Sequence, residues 1–149
     1  MPRIGVWEGA DGFAHALSGL FPEPPVVDRH PARFAEGFFD LLLLSPAAAG
    51  WAGAGAISAG IVLLPGAAVP LVPMLQARSA VSYGLAPKNS LTYSSLEEGR
   101  SCVALQRQIL TLSGETLEEQ EFVLPFSPGE DPVWFLALTG ARLLLTGRP

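Results

Sequence analysis

The sequence predicts a single three-layer α/β domain, with a mainly parallel sheet extended by antiparallel strands and helices on both faces. Three observations lead there. The chain has 149 residues, enough for one domain that buries about two thirds of the surface its unfolded form would expose. Up to Ala86, short apolar runs alternate with Gly-, Pro- and Ala-rich segments, as parallel strands joined by crossovers do. Beyond Pro87 the runs alternate apolar and polar residues and are joined by tight turns, as antiparallel strands are. The one domain, residues 1–149, thus divides into parallel βα units over 1–86, antiparallel strands over 87–127 and a C-terminal helix over 131–146.

Taken in order, residues 4–7 form a first strand, and Asp11 is placed to cap a helix running to about Leu20 with Phe13, Ala16, Leu17 and Leu20 inward. Prolines 22, 24 and 25 close that unit, and Val26-Val27 is short enough to be an edge strand. Pro31 starts a helix carrying Phe34, Ala35 and Phe38. Residues 39–44 and 61–64 are the central parallel strands, and residues 47–59 between them form a loop anchored by Trp51. A short helix over 69–76 leads to a fifth strand over 80–83. Strands over 91–95, 102–112 and 116–126 follow, with a turn at Glu97-Glu98-Gly99-Arg100 and another at Ser113-Gly114. A two-residue loop at the second turn pairs Leu105 with Phe122 and Val103 with Leu124, and sets Arg107 opposite Gln120 in reach of an ion pair with Glu118. Asp131 caps and Pro132 starts the last helix, whose stripe is Val133, Leu136, Ala137, Gly140, Leu143 and Leu144.

No charged residue lies between Leu41 and Ala77. A membrane-spanning helix wants about 20 consecutive apolar residues, but prolines 46, 65, 70 and 73 cut this stretch into pieces, which favours buried strands. The first residues lack the long apolar core of a signal peptide, so no export is expected. The lone Cys102 sits in a strand-like run as an apolar residue, in keeping with a reducing cytoplasm. Net charge is −5 and Lys88 is the single lysine, which argues against nucleic-acid binding. The mean hydropathy of +0.36 predicts a surface covered by a second copy of the chain.

Motifs for chemistry are sparse. Glycines 50, 53 and 55 are not followed by the lysine a phosphate-binding loop requires, and Asp11 between Gly9 and Gly12 would repel a pyrophosphate. His15 and His30 lie far apart, and no cluster has metal-ligand spacing. No Gly-x-Ser-x-Gly elbow is present. What remains is position: Glu8, Asp11, Ser45 and Gly66 follow strands at the carboxyl edge of the sheet, where open α/β sheets bind ligands, and they are the candidate ligand-binding residues. Ser45 precedes Pro46 and also suits a turn. Glu115, Glu118, Glu119 and Glu121 suit a solvated edge or a docking surface for a basic partner. No catalytic residue, metal or cofactor is expected.

From Gly60 onward the order of elements resembles the later half of the ATP-binding central domain of Mur-type peptide ligases. The matching residues are 61–64, 71–76, Val81-Ser82-Tyr83-Gly84-Leu85, the strands up to Phe126, and 132–145. The family's phosphate loop, magnesium-binding Glu and catalytic lysine have no counterpart, and Pro65-Gly66-Ala67-Ala68 stands where its Asn-x-Asp-Asp segment would be. The resemblance implies a degenerate Mur-ligase-like scaffold in a bacterium and carries over no functional residue. The expected function is a non-catalytic cytoplasmic binding or protein-interaction domain; the alternative is a small-molecule-binding domain or weak enzyme using the loops at the carboxyl ends of the strands.

Overall fold

The structure is a computed structural model in which residues 1–50 and 56–149 are described. Its strands are β1 (Ile4–Trp7), β2 (Val26–Asp28), β3 (Phe38–Leu44), β4 (Ile57–Pro65), β5 (Leu75–Tyr83), β6 (Leu91–Glu97), β7 (Gly99–Leu105), β8 (Ile109–Leu110), β9 (Thr116–Leu117) and β10 (Gln120–Phe126). Eight of them form one mixed sheet in the order β10-β7-β6-β5-β4-β3-β1-β2, and β8 and β9 pair separately. Neighbours from β2 to β6 are parallel, while β7 is antiparallel to both β6 and β10. Val26-Val27 is indeed at an edge.

β3 and β4 read as unbroken apolar runs because both of their faces are covered. Leu41, Leu43, Ile61 and Leu63 pack with α1 (Phe13–Ala16) and α2 (Pro132–Thr146) on the first face. Leu42, Leu44, Val62 and Leu64 pack with Phe34, Ala68 and Leu71 on the second. Phe34 comes from a 3-10 helix, Pro31–Ala35, and Ala68 and Leu71 come from another, Gly66–Met74. Pro70 and Pro73 lie inside the latter, and their rings would clash with the carbonyls four residues back in an α-helix, so the segment takes the 3-10 form. The second layer is therefore made of tight 3-10 turns. Among the described residues, no helix is long and apolar enough to cross a membrane.

α2 follows its sequence signals closely. Asp131 Oδ1 accepts from the amides of Val133 and Trp134 at 2.9 and 3.2 Å, and Pro132 takes the first turn. Residues 136–141 are all buried, so the contact is broader than one stripe.

Several expectations need correction. α1 ends at Ala16, Ala16 is exposed, and only Phe13 and Leu17 are fully buried. Phe38 belongs to β3 and is 44% exposed, because Gly37 at φ 83° ends the preceding turn. Residues 57–59, placed in a loop from sequence, open β4; the anchoring Trp51 lies outside the described residues. The 3-10 helix runs from Gly66 to Met74, earlier than expected. Cys102 is half-buried on the second face.

The register of the last strands also differs. Leu105 pairs with Gln120, and Val103 with Phe122. Counting outward from Ser113-Gly114 assumes a continuous ladder, but three residues leave it after Leu105 and two leave it before Gln120. The tip turns away so that Ile109, Leu110, Leu112 and Leu117 join the core under α2, where the Leu112 amide donates to the Leu144 carbonyl at 2.8 Å. Burying Ile109 and partly covering the other three side chains outweighs two ladder pairs. Because the shift is by two residues, the apolar face is kept.

Candidate functional site

Trp7 pairs with Leu44, Leu43 with Leu63, and Pro65 with Tyr83, so these strands end along one edge of the sheet. Strand order reverses between β1 and β3, the place where open α/β sheets put a ligand crevice. Here that crevice is filled by the protein's own loops.

Glu8 Oε1 accepts from the Ala14 amide at 2.9 Å, so Glu8 supplies the contact to the helix amides that sequence assigned to Asp11. The N-cap position of α1 is Gly12, with no side-chain hydrogen bond. Asp11 reaches across to β3's loop instead: its Oδ2 accepts from the Ala47 amide at 3.1 Å. The Ser45 amide donates to the Trp7 carbonyl at 3.0 Å, and the Ser45 carbonyl accepts from Ala48 at 3.1 Å, the turn that Ser-Pro suits. A Cβ on Gly9 would stand 2.4 Å from the Ala47 carbonyl oxygen, so the two loops touch backbone to backbone. Glu8, Asp11 and Ser45 are brought together, but as the seal of the crevice. Asp11 Oδ1 and Ser45 Oγ are buried within it and make no hydrogen bond.

Gly66 belongs to a different place. It opens the 3-10 helix after β4, and with Pro65, Tyr83, Gly84 and Val133 it lines a cavity of about 380 Å3 at the ends of β4 and β5. Asn89 fills the space that side chains at 66 and 84 would occupy: its Oδ1 lies 2.7 Å from a Cβ built on Gly66, and its Nδ2 lies 2.9 Å from one built on Gly84. Asn89 is 3% exposed. Its Nδ2 donates to the Ala86 carbonyl at 3.0 Å, whereas its Oδ1 is buried without a partner.

A second cavity, of about 250 Å3, adjoins the first through Asn89 and Lys88. Leu64, Val69, Val72 and Ala80 form its apolar part, and Lys88 and Arg107 its charged part. Arg107 therefore stands away from its expected place opposite Gln120, because it sits in the connection that leaves the ladder. Gln106 holds this geometry. Its Nε2 donates to the Pro87 and Asn89 carbonyls, the latter at 2.7 Å, and its backbone amide donates to Ser90 at 2.8 Å. Sequence reasoning missed Asn89, Gln106 and this role of Lys88. The available signal was two glycines, 66 and 84, each directly after a strand, which leave room for one polar side chain between them.

Tyr83 is fully buried beneath this edge and donates its hydroxyl to the Leu44 carbonyl at 2.8 Å. Burial, and then the charge of Asp11, pushes its pKa far above the ordinary tyrosine value. Tyr93, whose hydroxyl donates to the Pro132 carbonyl at 2.6 Å, is also pushed up, by burial first and then by Glu130 and Asp131. A folded-state pKa raised above the unfolded one means that this stability is complete below about pH 10 and is lost as pH rises beyond it. Denaturation at pH 9, 10 and 11 should show stability level to about pH 10, then falling by up to about 1.4 kcal/mol per pH unit from Tyr83 alone. Tyr83→Phe should flatten that slope. A level profile through pH 11 in the unsubstituted chain would contradict the buried placement.

Among the described residues, no group of three or more His, Cys, Asp or Glu is placed to hold a metal ion. Comparison with protein-family models, with curated proteins and with solved structures finds no match to this chain.

Proposed function

We propose that the chain is a non-catalytic small-molecule-binding domain whose site is the cleft at the carboxyl ends of β4 and β5. One observation carries this reading: Asn89, whose Oδ1 is buried without a partner, is set between Gly66 and Gly84 and lines an open cavity. An unsatisfied buried amide oxygen costs about 1–3 kcal/mol. A ligand that draws the Asn89 amide toward the cavity and donates a hydrogen bond to this oxygen relieves the cost. The nearby Glu8, Asp11 and Ser45 do not enter the site, since they hold the neighbouring loops together.

Small hydroxyl- and amide-bearing compounds, followed by amide NMR, are expected to shift Gly66, Gly84 and the Asn89 side chain. A compound at 100 times its dissociation constant should add about 2.7 kcal/mol of stability. Asn89→Leu should abolish both effects while leaving the fold intact. Compounds that bind without moving these resonances would contradict the proposal.

A second reading, an interaction surface for a second copy or another protein, is favoured by the second face of the antiparallel strands. No residue of β6, β7 or β10 belongs to the second core cluster, and Val123 on that side is 64% exposed. Kinship with the Mur-type central domain is proposed on element order alone and gives no residue a role. A cytoplasmic setting is proposed from the single, unpaired cysteine.

A further inference from the structure

We propose that the cavity beside Asn89 binds a small amphipathic carboxylate, with its acid group between Lys88 and Arg107 and its short tail on Leu64, Val69, Val72 and Ala80. The inference rests on the reading of the strand-end cleft as a ligand site and names the chemistry recognised in the cavity that adjoins it and shares Lys88 and Asn89 with it. Two facts about charge support it. The chain carries a net charge of −5, yet among the described residues this cavity is lined by its single lysine and an arginine and by no acidic residue. The ion pairs among the described residues, Arg33–Glu36 and Arg100–Glu97, lie elsewhere and leave both cations without a carboxylate partner.

The backbones that carry the two cations are also held in relation to each other. Lys88 is on the loop between β5 and β6, and Arg107 follows Gln106 on the connection after β7. Gln106 fastens one to the other by donating to the carbonyls that flank Lys88, those of Pro87 and Asn89. An acid group entering between them meets a charge pair whose backbone is already in place, so the ordering needed on binding is confined to the two side chains.

The backbone decides between carboxylate and phosphate. Phosphate sites draw on several free amides. Here the amides of the lining residues Ser82, Asn89 and Ser90 donate within the protein, to Ser90 Oγ, the Ala86 carbonyl and Ser82 Oγ. With those three amides used, recognition rests chiefly on the two cationic side chains, which suits the planar, singly charged carboxylate that an arginine fork matches. The apolar lining then selects a hydrocarbon tail over a second polar group.

Hexanoate, hexanamide and inorganic phosphate titrated into the whole chain, with amide NMR as the readout, test this. Hexanoate should shift Ser82, Lys88, Ser90 and Arg107 and bind about tenfold or more tightly than hexanamide, the gain of one good charge-assisted contact. Lys88→Gln and Arg107→Gln, both at exposed positions, should each remove part of that preference, and together all of it, with tail binding retained. Equal binding of hexanoate and hexanamide overturns the carboxylate inference but leaves the cleft reading standing. Phosphate binding as tight as hexanoate overturns it in favour of a bare anion site. If hexanoate moves none of these residues the inference falls, and the cleft reading falls with it only if hydroxyl and amide compounds also leave Gly66 and Gly84 unmoved.

Discussion

Trp7→Ala should lower unfolding stability by about 3–5 kcal/mol, the cost of emptying an aromatic site in a packed core. Trp7 is fully buried on the second face of β1. Its ring stacks on Phe34 with centroids 5.5 Å apart and planes 13° from parallel, and Phe34 in turn meets Phe39 at 5.7 Å. The Trp7 indole N–H donates to the Ala49 carbonyl at 3.1 Å, so one side chain joins β1, the Pro31–Ala35 turn and the segment after β3. Folded domains have only about 5–15 kcal/mol in total, so this single change should move the urea midpoint by a large fraction. Trp7→Phe keeps the stack and gives up the hydrogen bond, and should cost clearly less. A loss below about 1.5 kcal/mol for Trp7→Ala would mean that the ring is outside the packed layer.

Gly9→Ala is the second large effect, expected at about 2–3 kcal/mol or more, at the upper end of overpacking costs. The added Cβ would fall 2.4 Å from the Ala47 carbonyl oxygen and 2.9 Å from the Ala47 Cβ, and neither is the end of a flexible side chain. The loops after β1 and β3 must then part, which breaks the Asp11–Ala47 contact and brings water to Asp11 Oδ1 and Ser45 Oγ. Gly12→Ala is the matched control. It has open space around it and φ of 70°, so its cost is the left-handed backbone alone, about 1–2 kcal/mol. Denaturant melts of both variants decide the matter. Gly9→Ala as stable as the parent would mean that the switch-point crevice is open and available to ligands after all.

The elements most legible in the sequence are those whose signals are local. α2 is specified by Asp131, Pro132 and its apolar spacing, all within a few residues of one another, and the central strands by runs such as Leu41–Leu44 that no exposed element would carry. Long-range choices were hidden. Glu8 and Asp11 are both plausible partners for the first helix, and the sequence alone does not show that Ala47, 36 residues beyond Asp11, competes for its carboxylate. The hairpin register depended on where the chain leaves the ladder, which is set by the room under α2 for Ile109 and Leu117. The candidate site was half legible: the carboxyl edge and Gly66 followed from strand order, but Asn89 and Gln106 act through partners on other loops.

The uneven covering of the sheet has a consequence for how the molecule breathes. Amide protons in β3 and β4, enclosed above and below, can exchange only when the whole body opens, whereas those of β10, held by one neighbour and roofed on one side, can exchange by the peeling of a single ribbon. Each such peeling bares the rim of β7, a free ladder of donors and acceptors onto which a foreign extended segment could zip.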